Sequence, residues 1–171
     1  MTSPARSADA LFTEVYERLK AMAGKRLSSP SGHSLQTTAL VHELYLRMQG
    51  VDGLAFDAPE QFFAYAARAM RHLLIDRARD RMSQRAGGQW QSVTLSGIDE
   101  HVAIDSAEQA IALEAALAKL EAQDERAARV VELLYFAGLT LEQVAEALGL
   151  ARRTIDRDWR FARAFLGTEL A

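Results

Sequence analysis

No cysteine occurs in the chain, which removes disulfides, thiolate zinc sites and thiol nucleophiles together. No window approaches the unbroken apolar run of about 20 residues that a membrane span needs. The stretch from Met1 to Ala10 is polar and Ala/Ser-rich, without the apolar core of a secretion signal. A cytoplasmic protein with no membrane partner is the expectation. Catalytic signatures are missing as well. His33, His42, His72 and His101 are scattered, and none has a second histidine or a carboxylate at metal-ligand spacing. His42-Glu43 lacks the second histidine of a zinc-protease helix, Gly87-Gly88 has no phosphate-loop lysine, and the serines lie in loops without an elbow motif. No catalytic residue, metal or cofactor is expected, and the chain does not read as an enzyme.

What is present is a globular composition: 171 residues, 49% apolar and 25% charged, enough for one ordinary domain or two small ones. The net charge of −3 argues superficially against nucleic acid, but the charges are segregated. Six arginines fall between Arg68 and Arg85 and five more between Arg152 and Arg163. From Asp99 to Glu125 there are eight acids against Lys119 alone. Screening confines charge effects to roughly 10 Å, so local clusters rather than the sum decide whether phosphates are attracted.

Helical periodicity runs through nearly every segment. It predicts an all-α fold of two small helical bundles joined by a flexible linker. The first bundle, residues 1–83, holds helices at about Ala8 to Leu27, Thr37 to Gln49 and Pro59 to Met82. Gly50 to Ala58 reads as a loop with one aromatic, Phe56. Composition shifts at Ser83, and residues 84–106, with Gly87-Gly88, Gly97 and several serines, read as the linker. A short extended piece is expected at Trp90 to Leu95. The second bundle, residues 107–171, holds helices at about Ala107 to Leu120, Asp124 to Phe136, Thr140 to Leu148 and Arg152 to Leu166, with Gly138 ending the second of these.

The strongest motif lies between Gly138 and Arg157. Thr140 followed by Gln143 is a capping box, Val144, Ala145 and Leu148 face inward, and Gly149 permits a sharp turn. Ile155 anchors the next helix. This pattern predicts a helix-turn-helix, whose second helix enters the major groove. Arg152, Arg153, Thr154, Asp156, Arg157 and Arg160 are the positions left to face DNA, and arginine suits both guanine edges and phosphates.

The chain as a whole resembles the extracytoplasmic-function (ECF) sigma factors, small promoter-recognition subunits of bacterial RNA polymerase. Leu40-Val-His-Glu-Leu-Tyr-Leu-Arg-Met48 resembles the family's core-binding helix, which implies Leu40, Glu43 and Arg47 as contacts to core RNA polymerase. Phe62 to Arg79, ending in a basic run, resembles the promoter-melting helix. Thr154 to Arg163 resembles the end of the domain that reads the −35 element. The resemblance implies that promoter DNA is the partner. It places Phe56, Arg68, Arg71, His72 and Arg79 at the −10 element, where a flipped base and single-stranded DNA are held in a basic, aromatic groove. By periodicity, Phe62, Phe63 and Tyr65 read as core.

The chain departs from the family at one place. Where an acidic motif usually precedes the core-binding helix, Gln36, Thr37, Thr38 and Ala39 carry no carboxylate. Two readings of the threonines stay open. They cap the helix, or a serine/threonine kinase modifies Thr38, or else Thr37, and supplies about −1.5 to −2 charge at a helix start. The sequence neither requires nor excludes an anti-sigma partner. The alternative to a sigma factor is a stand-alone helix-turn-helix regulator that binds duplex DNA as a dimer.

Overall fold

Pro59 opens the longest helix, α1 (Pro59–Ser83), at the position where its fixed φ and missing N–H cost nothing. Phe62, Phe63, Ala66, Ala67, Met70, Leu73, Leu74 and Ala78 recur at helical spacing and are buried. A computed structural model describes residues 6–7, 43–44, 46–48, 55–56, 59–83, 90, 93–96 and 101–171. The expected helix at Ala8 to Leu27 lies outside the described residues. Of the expected helix at Thr37 to Gln49, residues 43–44 and 46–48 are helical, with Leu44 and Met48 buried. Two ion pairs dock this piece on α1: Arg47 donates to Asp76 at 2.9 Å and Arg77 to Glu43 at 3.1 Å.

The all-α class holds, with two short antiparallel strand pairs added among the described residues. β1 (Arg6–Ser7) pairs with β2 (Ala55–Phe56), Arg6 opposite Phe56. β3 (Val93–Ser96) pairs with β4 (His101–Ile104), Val93 opposite Ile104 and Ser96 opposite His101. This hairpin lies in the stretch expected to be a flexible linker, and Trp90 Nε1 donates to the Ile104 carbonyl at 2.9 Å. Backbone pairing therefore orders part of the linker, which glycine and serine content alone did not suggest.

The remaining helices start and stop on side-chain caps. Ser106 accepts from the Gln109 N–H at 3.2 Å and opens α2 (Ala107–Gln123). Asp124 accepts from the Ala127 N–H at 3.0 Å and opens α3 (Glu125–Val131). The chain then widens into a π turn (Glu132–Phe136), in which the Ala137 N–H reaches back five residues to the Glu132 carbonyl at 3.2 Å. Gly138, at φ +66°, ends it in the left-handed region, as the sequence predicts. α4 (Leu141–Leu148) and α5 (Arg152–Glu169) follow.

α5 packs across α2 and α3. Arg126 of α3 forks onto the buried Asp158 carboxylate at 2.5 and 3.0 Å, and Tyr135 meets Trp159 edge-on with ring centroids 5.4 Å apart. Lys119 ties α2 to the end of α5 through Glu169 at 2.7 Å. α1 in turn lies against α2 and the π turn. Buried apolar residues from Leu44 to Leu166 form one cluster that spans both helical units.

Candidate nucleic-acid interface

α4 is held to its length from both ends. The Thr140 hydroxyl accepts from the Gln143 N–H at 3.2 Å, and the Gln143 side chain accepts from the Thr140 N–H at 2.9 Å, completing the capping box the sequence predicts. Gly149 closes the helix at φ +63°, a conformation that costs glycine nothing. The Leu150 N–H then bonds to the Ala145 carbonyl at 2.9 Å, and α5 starts three residues after the glycine. Ile155 is fully buried beneath this turn.

The predicted contact residues divide by environment. Arg153, Arg157 and Arg160 are exposed on α5 and have no ion-pair partner among the described residues. Arg152 is instead drawn sideways, donating to Asp156 at 3.1 Å on its own helix and to Glu142 of α4. The backbone hydrogen bond made by the Glu142 carboxyl, together with the Arg152 charge, holds that carboxyl below the usual carboxylate range. Thr154 is half-buried, and its N–H bonds to the Ala151 carbonyl at 3.0 Å. Arg152 thus bridges α5 to α4 through Glu142, while Arg153, Arg157 and Arg160 remain exposed.

α1 presents a second basic surface, and the C-terminal unit covers part of it. Arg71 is buried, with 3% of its side chain exposed. Its Nε and one terminal nitrogen donate to Glu114 at 2.7 and 2.9 Å, and the other terminal nitrogen donates to Glu132 at 2.5 Å. Burial by itself would lower the guanidinium pKa, but the hydrogen bonds and charges of Glu114 and Glu132 outweigh it and hold the pKa above its ordinary value. Arg68 donates to Glu121 of α2 and stands 3.8 Å from Glu132. In this arrangement Arg71 is satisfied inside the protein, so contact with DNA requires the seam between α1 and α2 to open.

The Phe56 ring is buried, edge-on to Phe62 and Tyr65 at centroid distances of 5.5 and 5.8 Å, and it borders the larger of two clefts beside α1. Phe62 and Phe63 are buried and Tyr65 is half-buried, matching the core assignment. His72 and Arg79 are exposed. His72 borders two cavities along the seam. One of about 630 Å³ also touches Tyr65, Arg129 and Leu133, and one of about 390 Å³ touches Arg47, Arg79 and Glu114.

Glu43 and Arg47 are partly exposed but engaged with Arg77 and Asp76, and Leu46 beside them leaves 53% of its surface exposed. Leu40, Thr37 and Thr38 lie outside the described residues. Glu114, Glu121 and Glu132 are the functional candidates that local sequence patterns missed. The only signal for Glu114 and Glu121 was the acidic stretch from Asp99 to Glu125, facing a basic stretch elsewhere in the chain, and Glu132 lies beyond it. Among the described residues no helix is long and apolar enough to cross a membrane, and no group of His, Asp or Glu side chains is arranged to hold a metal ion.

No curated protein and no solved structure matches the chain. A family model described as ECF sigma factor matches residues 4–171, nearly the full length and both helical units. The chain therefore belongs to the ECF sigma factor family, alternative sigma factors that act with core RNA polymerase at promoter DNA.

Proposed function

We propose that this protein directs core RNA polymerase to its promoters through three surfaces. The exposed face of α5, with Arg153, Arg157 and Arg160 outermost and Arg152, Thr154 and Asp156 beside them, reads the −35 duplex. The basic run of α1, with Arg68, Arg71, His72 and Arg79, holds the −10 strand, and Phe56 shapes the aromatic cluster beneath it. Leu40, Glu43 and Arg47 belong to the surface that meets core polymerase. The observation that carries this reading is the capped helix, left-handed glycine and second helix over residues 140–169, with arginines on the open side.

Activation is assigned to Thr38, or else Thr37, through phosphorylation by a serine/threonine kinase. The support is the lack of any carboxylate from Gln36 to Ala39, where the family carries acids that meet a basic partner. The test is capture of purified bacterial core RNA polymerase by the unmodified protein, by Thr38→Asp and by kinase-treated protein. Capture only after negative charge is added places the switch at Thr38. Capture by all three forms equally removes the switch and keeps the sigma role. Capture by none, with duplex DNA still bound, replaces core binding by a stand-alone regulator.

A further inference from the structure

We propose that the acidic face of the C-terminal unit is a built-in stand-in for DNA phosphates, clasping Arg68 and Arg71 of α1 and withholding them from nucleic acid in the free protein. Three carboxylates on two separate elements, Glu114 and Glu121 on α2 and Glu132 in the π turn, converge on these two guanidiniums. The Arg71 contact to Glu114 is bidentate, the geometry arginine also adopts with phosphate. The inference rests on the reading of α1 as a DNA-contacting helix.

Three features make the seam a switch rather than a permanent core. First, beside the shared apolar cluster, the contacts on Arg68 and Arg71 are ionic. A buried ion pair surrenders hydration of both partners, so its closed state gains little over a solvated open one, and competing phosphates can replace the carboxylates. Second, the seam is bordered by open clefts of about 630 and 390 Å³, so solvent reaches its edges. Third, each side keeps order of its own when parted. Arg77–Glu43, Arg47–Asp76 and the aromatic cluster stay with α1, while Arg126–Asp158 and Lys119–Glu169 stay with the C-terminal unit.

Glu132 ends α3 with regular helical backbone, its N–H bonded to the Ala128 carbonyl, and points a carboxylate, itself 7% exposed, at Arg71. The carboxylates exceed the arginines by one, so the clasp more than neutralises both guanidiniums.

The test uses the full-length chain in three forms: wild type, E114K/E121K, and E108K/E146K as a control with the same charge change at exposed positions away from the seam. Small-angle X-ray scattering gives the radius of gyration of each free protein. Fluorescence anisotropy gives the affinity for one labelled single-stranded oligonucleotide. The clasp variant is expected to expand while wild type and control stay compact. If the open form of the wild type is on the order of a tenth of molecules, full opening tightens oligonucleotide binding about tenfold relative to the control. The neutral pair E114Q/E121Q, which keeps hydrogen-bonding shape, is expected to move both readouts in the same direction by less. An unchanged radius in both seam variants overturns the clasp. Expansion without affinity gain over the control shows that the clasp exists but that α1 is not a DNA surface, which overturns the masking and the reading beneath it.

Discussion

Arg71 and Phe56 show how far a residue's neighbours can change the meaning of its type. In sequence, an arginine in a basic run and an aromatic in a loop both suggest nucleic-acid contact. In space, Arg71 meets Glu114 and Glu132, 43 and 61 residues away. Phe56 closes an aromatic cluster with Phe62 and Tyr65. Periodicity and capping report neighbours within about a turn, so neither pairing was visible locally. Phe56→Ala is therefore expected to cost about 3 kcal/mol of stability, as truncating a buried aromatic does. Urea denaturation checks this. A change of a few tenths of a kcal/mol at most would mean the ring is not part of the core. Arg153, Arg157 and Arg160 are exposed, as helical periodicity predicts, and have no ion-pair partner among the described residues.

At the scale of elements, the sequence announced helices far better than it announced their interruptions. α1, α4 and α5 begin where proline, the capping box and the glycine turn place them, because each signal is confined to a few consecutive residues. The hairpin of β3 and β4 has weak alternation, and only its first strand overlaps the extended piece expected at Trp90 to Leu95. The π turn has no composition of its own. Its residues, Glu-Leu-Leu-Tyr-Phe, suit a regular helix equally well, and the widening answers to packing against α1. The turn between α4 and α5 can be tested through its two punctuation marks. Thr140→Ala removes a cap and is expected to cost about 1 kcal/mol. At Gly149 a Cβ would meet nothing within 4 Å, so Gly149→Ala pays only for the left-handed backbone, about 1 kcal/mol, and Gly149→Asn less. Thermal melts of the three variants check the order. A neutral Gly149→Ala would contradict the positive φ.

Across the whole molecule, charge is arranged by unit rather than by sum. The chain carries 23 acids against 20 lysines and arginines, yet Arg153, Arg157 and Arg160 of α5 have no ion-pair partner among the described residues, while α1 shares Arg68 and Arg71 with α2. Duplex binding through α5 should therefore be strongly salt-dependent despite the net negative charge. Arg157→Ala is expected to lower the slope of log affinity against log salt by about one. Titrations of a promoter duplex at several salt concentrations measure it. An unchanged slope would remove Arg157 from the phosphate contacts. The π turn has a consequence for how such a chain can vary in length. It holds one residue more than the regular turn it replaces, so losing one codon between Glu132 and Phe136 would let it relax to a regular helix with the following chain near its present phase. The same loss inside α2 would rotate everything after it by about 100° and pull Glu121 away from Arg68. In genetic terms, this short segment is where the chain tolerates loss of a letter better than its regular helices do.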